Sequence, residues 1–109
     1  MLRIAVLGVG RIGRMHAENI AQHPRATLAG IYDAHPPAAH SVSELLNVTN
    51  FESSEAVFSS AEVDAVLIAT STPTHADYIE MAIAGGKPVL CEKPIDLSLE
   101  RVNACASKI

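Results

Sequence analysis

The sequence predicts an α/β fold, a doubly wound sheet of parallel strands covered by helices on both faces. Three observations carry that prediction. Short apolar runs alternate with helix-like stretches from one end of the chain to the other, the pattern of parallel strands joined by right-handed helical crossovers. The runs lack the polar alternation of a half-exposed strand, as expected where both faces of a sheet are buried. The first run, Ile4-Ala5-Val6-Leu7, leads directly into GVGRIG, which places Gly8, Gly10 and Gly13 within six positions.

Taken in chain order, the strands are Leu2–Leu7, Ala26–Tyr32, a weaker one near Asn50–Phe51, Ala65–Ala69 and Val89–Cys91. Helices fall between them at Arg11–His23, Pro37–Asn47, Glu55–Ser60 and Thr74–Ala84, and Leu99–Lys108 closes the chain. Boundary residues agree with this division. Thr72-Pro73 suits an N-cap followed by a proline in the first turn, and Gly85-Gly86 suits a helix end. Ser98 and Glu100 open the last helix with a cap and a carboxylate near its positive end. The expected strand order is 3-2-1-4-5, with a ligand crevice between the ends of strands one and four. The chain stops before a sixth strand, and Val89–Cys91 is then a sheet edge. Association through that edge and residues 95–106 is expected.

The chain has 109 residues, which bounds it to one domain, 1–109. A hydrophobic content of 49% with dispersed charges fits a folded globular protein. The net charge is −4 with no basic cluster, which argues against a nucleic-acid partner. No apolar run approaches the ~20 residues of a membrane span, and the N-terminus does not read as a signal peptide. Cys91 and Cys105 lack metal-ligand spacing and fit reduced thiols; no metal site is expected, and the location expected is cytoplasmic.

A lone G-x-G-x-x-G is a weak signal, and its setting strengthens it. Gly8 stands where strand one ends and allows a tight turn. Gly10 lets a pyrophosphate approach the backbone, and Gly13 lets the first helix pack close to the strand. The helix opening at Arg11-Ile12-Gly13 presents free N–H groups and the positive end of its dipole to an anion. Asp33 follows Gly13 by 20 residues, at the end of the second strand, where a carboxylate can hold ribose hydroxyls. Glycines kept for packing and an acid that merely begins a loop form the plainer reading, which spacing and context together outweigh. NAD is preferred over NADP. A 2′-phosphate would face the Asp33 carboxylate, a repulsion of ~4 kcal/mol at 4 Å and an effective dielectric of 20. The next residue is Ala34, with no arginine to receive that phosphate.

Two further segments reach the same crevice: ATSTPTH, Ala69 to His75, and CEKP, Cys91 to Pro94. Lys93 is placed to act on a substrate oxygen. A solvated Glu92–Lys93 pair worth well under 1 kcal/mol is the plainer reading, and spacing alone favours it. His75 either lines the crevice or is an ordinary first-turn histidine. His16 fits packing or capping, and His23, His35 and His40 fit the surface. The Lys93–Pro94 bond is a candidate for the cis isomer.

RIAVLGVGRIGRMHAENI, AGIYD and EVDAVLIATSTPTHADYIEMAIAGGKPVLCEKPIDLSLE together resemble the N-terminal domain of the Gfo/Idh/MocA oxidoreductases, in the inositol 2-dehydrogenase-like branch. The dinucleotide fingerprint, the T-P-x-H helix start and the E-K-P tripeptide occur in family order. The resemblance implies a Rossmann fold and NAD-dependent oxidation of a secondary hydroxyl on a polyol or sugar. It implies that Lys93 contacts the hydroxyl being oxidised, that Glu92 lies beside the nicotinamide ribose, and that Thr70, Ser71, Thr72 and His75 border the cofactor. It implies a homo-oligomer. It also implies a second, mostly antiparallel domain for substrate and assembly, which this chain lacks, so the fragment is expected to bind NAD weakly and to be inactive alone. Two alternatives stay open: a non-catalytic sensor, as in a galactose-regulon repressor of the family, and an NADP-dependent Rossmann reductase.

Overall fold

The computed structural model describes residues 1–91 and 99–106. Its elements run β1 (Leu2–Leu7), α1 (Arg11–Gln22), β2 (Ala26–Tyr32), α2 (Pro36–Leu46), β3 (Thr49–Asn50), α3 (Ser54–Ser59), β4 (Ala65–Ile68), a 3-10 turn (Thr72–Thr74), α4 (His75–Ala84), β5 (Val89–Cys91) and α5 (Leu99–Ala106). All pairings are parallel, in the order β3-β2-β1-β4-β5. The expected order holds, and among the described residues β5 stands at the edge of the sheet, where Leu90 is 65% exposed.

Because successive strand residues face opposite sides, β1 divides its apolar residues between two cores. Val6 joins Val9, Ala17, Ile31 and Val42 beneath α1 and α2. Ala5 and Leu7 join Val57, Phe58, Ile68, Ile79 and Cys105 on the other face. Burial on both sides explains why the strand sequences carry no polar alternation.

Most boundaries lie within a residue of expectation. The third helix starts at Ser54 because the Ser53 hydroxyl accepts the Ala56 N–H at 3.1 Å. The fourth ends as expected: Gly86 takes φ +70, and the Lys87 N–H returns to the Ala82 carbonyl at 2.9 Å. One local expectation is corrected. Thr72 does not cap a helix; Thr72–Thr74 form a 3-10 turn, and α4 begins at His75. Lys93–Pro94 and the Ser98 cap lie outside the described residues. Among the described residues no helix is long and apolar enough to cross a membrane.

Candidate functional site

The glycine-rich segment turns off β1 at the carboxyl end of the sheet. Gly8 has φ +88, and a Cβ there would lie 2.6 Å from the backbone of Ala69 and Thr70. A Cβ on Gly13 would lie 1.6 Å from the Gly8 carbonyl oxygen. The protein's own packing therefore demands both residues. Gly10 differs, since a Cβ there would meet none of the described residues beyond its chain neighbours within 4 Å. The first helical bond of α1 runs from the Arg14 N–H to the Gly10 carbonyl at 2.8 Å. The N–H groups of Arg11, Ile12 and Gly13 thus precede the helical ladder. The first turn holds no acidic side chain to answer the positive end of the helix.

Asp33 faces this turn from the end of β2. Its Oδ2 accepts the Val9 N–H at 2.8 Å, and its Oδ1 accepts the His35 N–H at 2.8 Å. Among the described residues it has no cationic partner within ion-pair distance. Two neutral backbone donors fix its orientation, and no cation of the described residues pairs with its charge. A carboxylate oxygen accepts more than one bond, so both retain capacity for ribose hydroxyls.

A cavity of about 300 Å³ opens between these parts. Gly8 and Gly10 line it together with Asp33 and Ala34 just after β2, Ala69, Thr70 and Ser71 just after β4, Thr74 just before α4 and Tyr78 within it. An acceptor wall, an aromatic ring and an anion-seeking helix start suit a nucleoside joined to phosphate. Burial, with nearby Tyr32, raises the Tyr78 phenol above its ordinary value.

The β4–α4 connection is tightly bonded within itself. The Thr70 and Thr74 hydroxyls lie 2.5 Å apart, and the Thr74 hydroxyl donates to the Ser71 carbonyl at 2.6 Å. His75 is buried at 2% exposure, with Nε2 2.7 Å from the Thr70 carbonyl oxygen.

Of the residues singled out from sequence, the cavity gathers Gly8, Gly10, Asp33, Thr70 and Ser71. Gly13 packs against Gly8, and Ile12 is exposed beside the turn. Arg11 lines a separate groove of about 590 Å³ between α1 and α2, beside Arg14, which pairs with Glu18 at 3.0 Å. Thr72 and His75 are not among the lining residues. Glu92 and Lys93 lie outside the described residues. Thr74, within the Ala69–His75 segment expected at the crevice, also lines the cavity, whereas Ala34 and Tyr78 were missed. The signal for Tyr78 is its place four residues after Thr74, the residue that flanks the start of α4, so that it returns to the same side one turn later.

The family profile described as "Oxidoreductase family, NAD-binding Rossmann fold" matches residues 2–108. An inositol 2-dehydrogenase of Rhizobium meliloti (strain 1021) is 42% identical over 104 residues, 95% of this chain and 31% of that protein. The crystal structure of a myo-inositol dehydrogenase from Corynebacterium glutamicum superposes with a TM-score of 0.92 at 42% identity, covering 99% of this chain and 32% of that one. A scyllo-inositol dehydrogenase from Lactobacillus casei, solved with bound NAD(H) and scyllo-inositol, gives a TM-score of 0.92 at 32% identity, with coverage of 100% and 33%. The chain spans about a third of the length of the relatives it matches.

Proposed function

The chain belongs to the Gfo/Idh/MocA oxidoreductase family, and from that premise we propose that it is the cofactor-holding domain of a dehydrogenase that oxidises a secondary hydroxyl of an inositol-like polyol or a sugar. The observation that carries this reading is the contrast among the glycines. Gly8 and Gly13 are required by backbone contacts, whereas Gly10 leaves open space over the start of α1, facing Asp33. That is the room a dinucleotide pyrophosphate needs, with a ribose-binding carboxylate beside it.

In this reading the N–H groups of Arg11, Ile12 and Gly13 hold the pyrophosphate, and Asp33 accepts the adenosine ribose hydroxyls. Thr70 and Ser71 border the cofactor along the opposite wall. Bound nicotinamide supplies the acceptor for the hydride leaving the substrate carbon. The hydroxyl proton would leave by way of Lys93, at the substrate hydroxyl oxygen, to groups of a further domain, and Glu92 would stand beside the nicotinamide ribose. The substrate pocket is completed by a further domain. Inositol as substrate class rests on what the similar proteins are named for.

The test is kinetic. A full-length enzyme carrying this domain should reduce NAD with inositols or aldoses. Lys93→Ala should lower kcat by about a hundredfold or more, the range of a positioned proton-transfer group, and leave NAD affinity within about threefold. An unchanged kcat would return Lys93 to a solvated surface pair.

A further inference from the structure

A buried histidine needs a reason. His75 begins the buried face of α4 and is 2% exposed. An imidazole taken out of water is unfavourable unless its ring nitrogens are bonded, and an apolar side chain of similar size would fill the space without that penalty. The bond that justifies it is Nε2 to the Thr70 carbonyl oxygen at 2.7 Å. A carbonyl only accepts, so Nε2 carries the hydrogen.

That bond acts on the cavity wall. The Thr74 hydroxyl has one hydrogen, and it goes to the Ser71 carbonyl at 2.6 Å. In the 2.5 Å contact between the two threonines, Thr70 is therefore the donor. Thr70 is pinned twice, by its hydroxyl to Thr74 and by its carbonyl to His75. Thr70, Ser71 and Thr74 all line the cavity, and His75 does not. We infer that His75 is a positioning residue for the cofactor crevice: from within the core it fixes the Thr70 peptide and so holds the Thr70–Ser71 wall in place for NAD. The inference rests on the reading of this crevice as the NAD site.

Glutamine can place an amide N–H near the position of Nε2, whereas leucine removes the donor and leaves the Thr70 carbonyl without it. The experiment titrates NADH by fluorescence into the parent chain, His75→Gln and His75→Leu, with unfolding midpoints recorded in parallel. It also reads the ring nitrogens by ¹⁵N NMR on histidine-labelled parent. His75→Gln should bind within about threefold of the parent, and folded His75→Leu about tenfold more weakly, as expected when a buried acceptor loses its donor. The NMR spectrum should show a proton on Nε2 that exchanges slowly with solvent. A folded His75→Leu that binds like the parent would overturn the inference, as would a folded His75→Gln as weak as the leucine variant. A bare Nε2 in the spectrum would overturn it even if the leucine variant failed to fold. A parent that binds no NADH would instead remove the cofactor reading, while the ring-nitrogen signal would still decide whether His75 anchors Thr70.

Discussion

Asp33 and Asp64 occupy opposite ends of one parallel sheet and are treated in opposite ways. Asp64 precedes β4 and is closed upon by Arg3 of β1, whose Nε and Nη2 reach its two oxygens at 3.1 and 3.0 Å, with the Arg3 N–H adding 2.9 Å. Lys87 at that end is likewise engaged, donating to the Ser60 and Val63 carbonyls at 2.8 and 2.7 Å. Among the described residues, Asp33 is held only by backbone N–H groups, above an open helix N-terminus. A charge answered by another charge ties strands together. A charge held by neutral dipoles is oriented and still available to a ligand.

The sharpest way to break this contrast is at the glycines of the open end. Gly13→Ala drives a Cβ to 1.6 Å from the Gly8 oxygen. Overpacking usually destabilises by about 1–3 kcal/mol, and a backbone clash this short belongs at the upper limit or beyond. A marked fall in the urea midpoint with loss of NADH binding is expected. Gly10→Ala meets none of the described residues beyond its chain neighbours within 4 Å. Its stability should stay within about 0.5 kcal/mol of the parent, as for an uncomplicated surface change, while NADH binding weakens at least several-fold. A Gly10→Ala variant that binds like the parent would mean the open space is not the pyrophosphate seat.

Cofactor choice sharpens the comparison further. Asp33→Ser with Ala34→Arg removes the carboxylate and adds a forked phosphate donor. The NADP-to-NAD affinity ratio should rise by about tenfold or more. Parallel titrations with both reduced cofactors read this directly. Equal affinities in the parent would deny Asp33 its discriminating role.

The regions also differ in how much of them the sequence discloses. The sheet was legible because burial on both faces leaves apolar runs such as Ile4–Leu7, and the start of α3 differs by one residue because the Ser53 cap intervenes. Gly8, Gly13 and Asp33 were legible because backbone geometry imposes a fixed spacing on them. The Thr70–His75 connection was not. Proline after threonine reads as a helix start, yet the hydroxyl of Thr74 turns back to Ser71 and tightens the segment into a 3-10 turn. The burial of His75 was equally hidden, because nothing in a histidine at that position says that its ring turns back to the Thr70 carbonyl. Tyr78 carried no signal of its own: its ring centroid lies 6.2 Å from that of Phe58, and it also walls the cavity.

The smallest expected effect belongs to the closed end. Arg3, bonded to the carboxylate, pulls the Asp64 pKa down to about 2 from 3.8. The folded state thus releases the Asp64 proton more readily than the unfolded chain does. By linkage, the stabilisation is fully present above the ordinary value of 3.8, fades as pH falls, and is gone below about 2. Both partners are partly exposed, at 44% and 35%, so solvent and salt screen the pair and its contribution is modest. Asp64→Asn should lower the urea midpoint slightly at pH 6, and the gap from the parent should narrow between pH 4 and pH 2 and shrink in high salt. A gap that stays constant across that window would mean the asparagine acts through lost backbone bonding to Arg3 rather than through the charge.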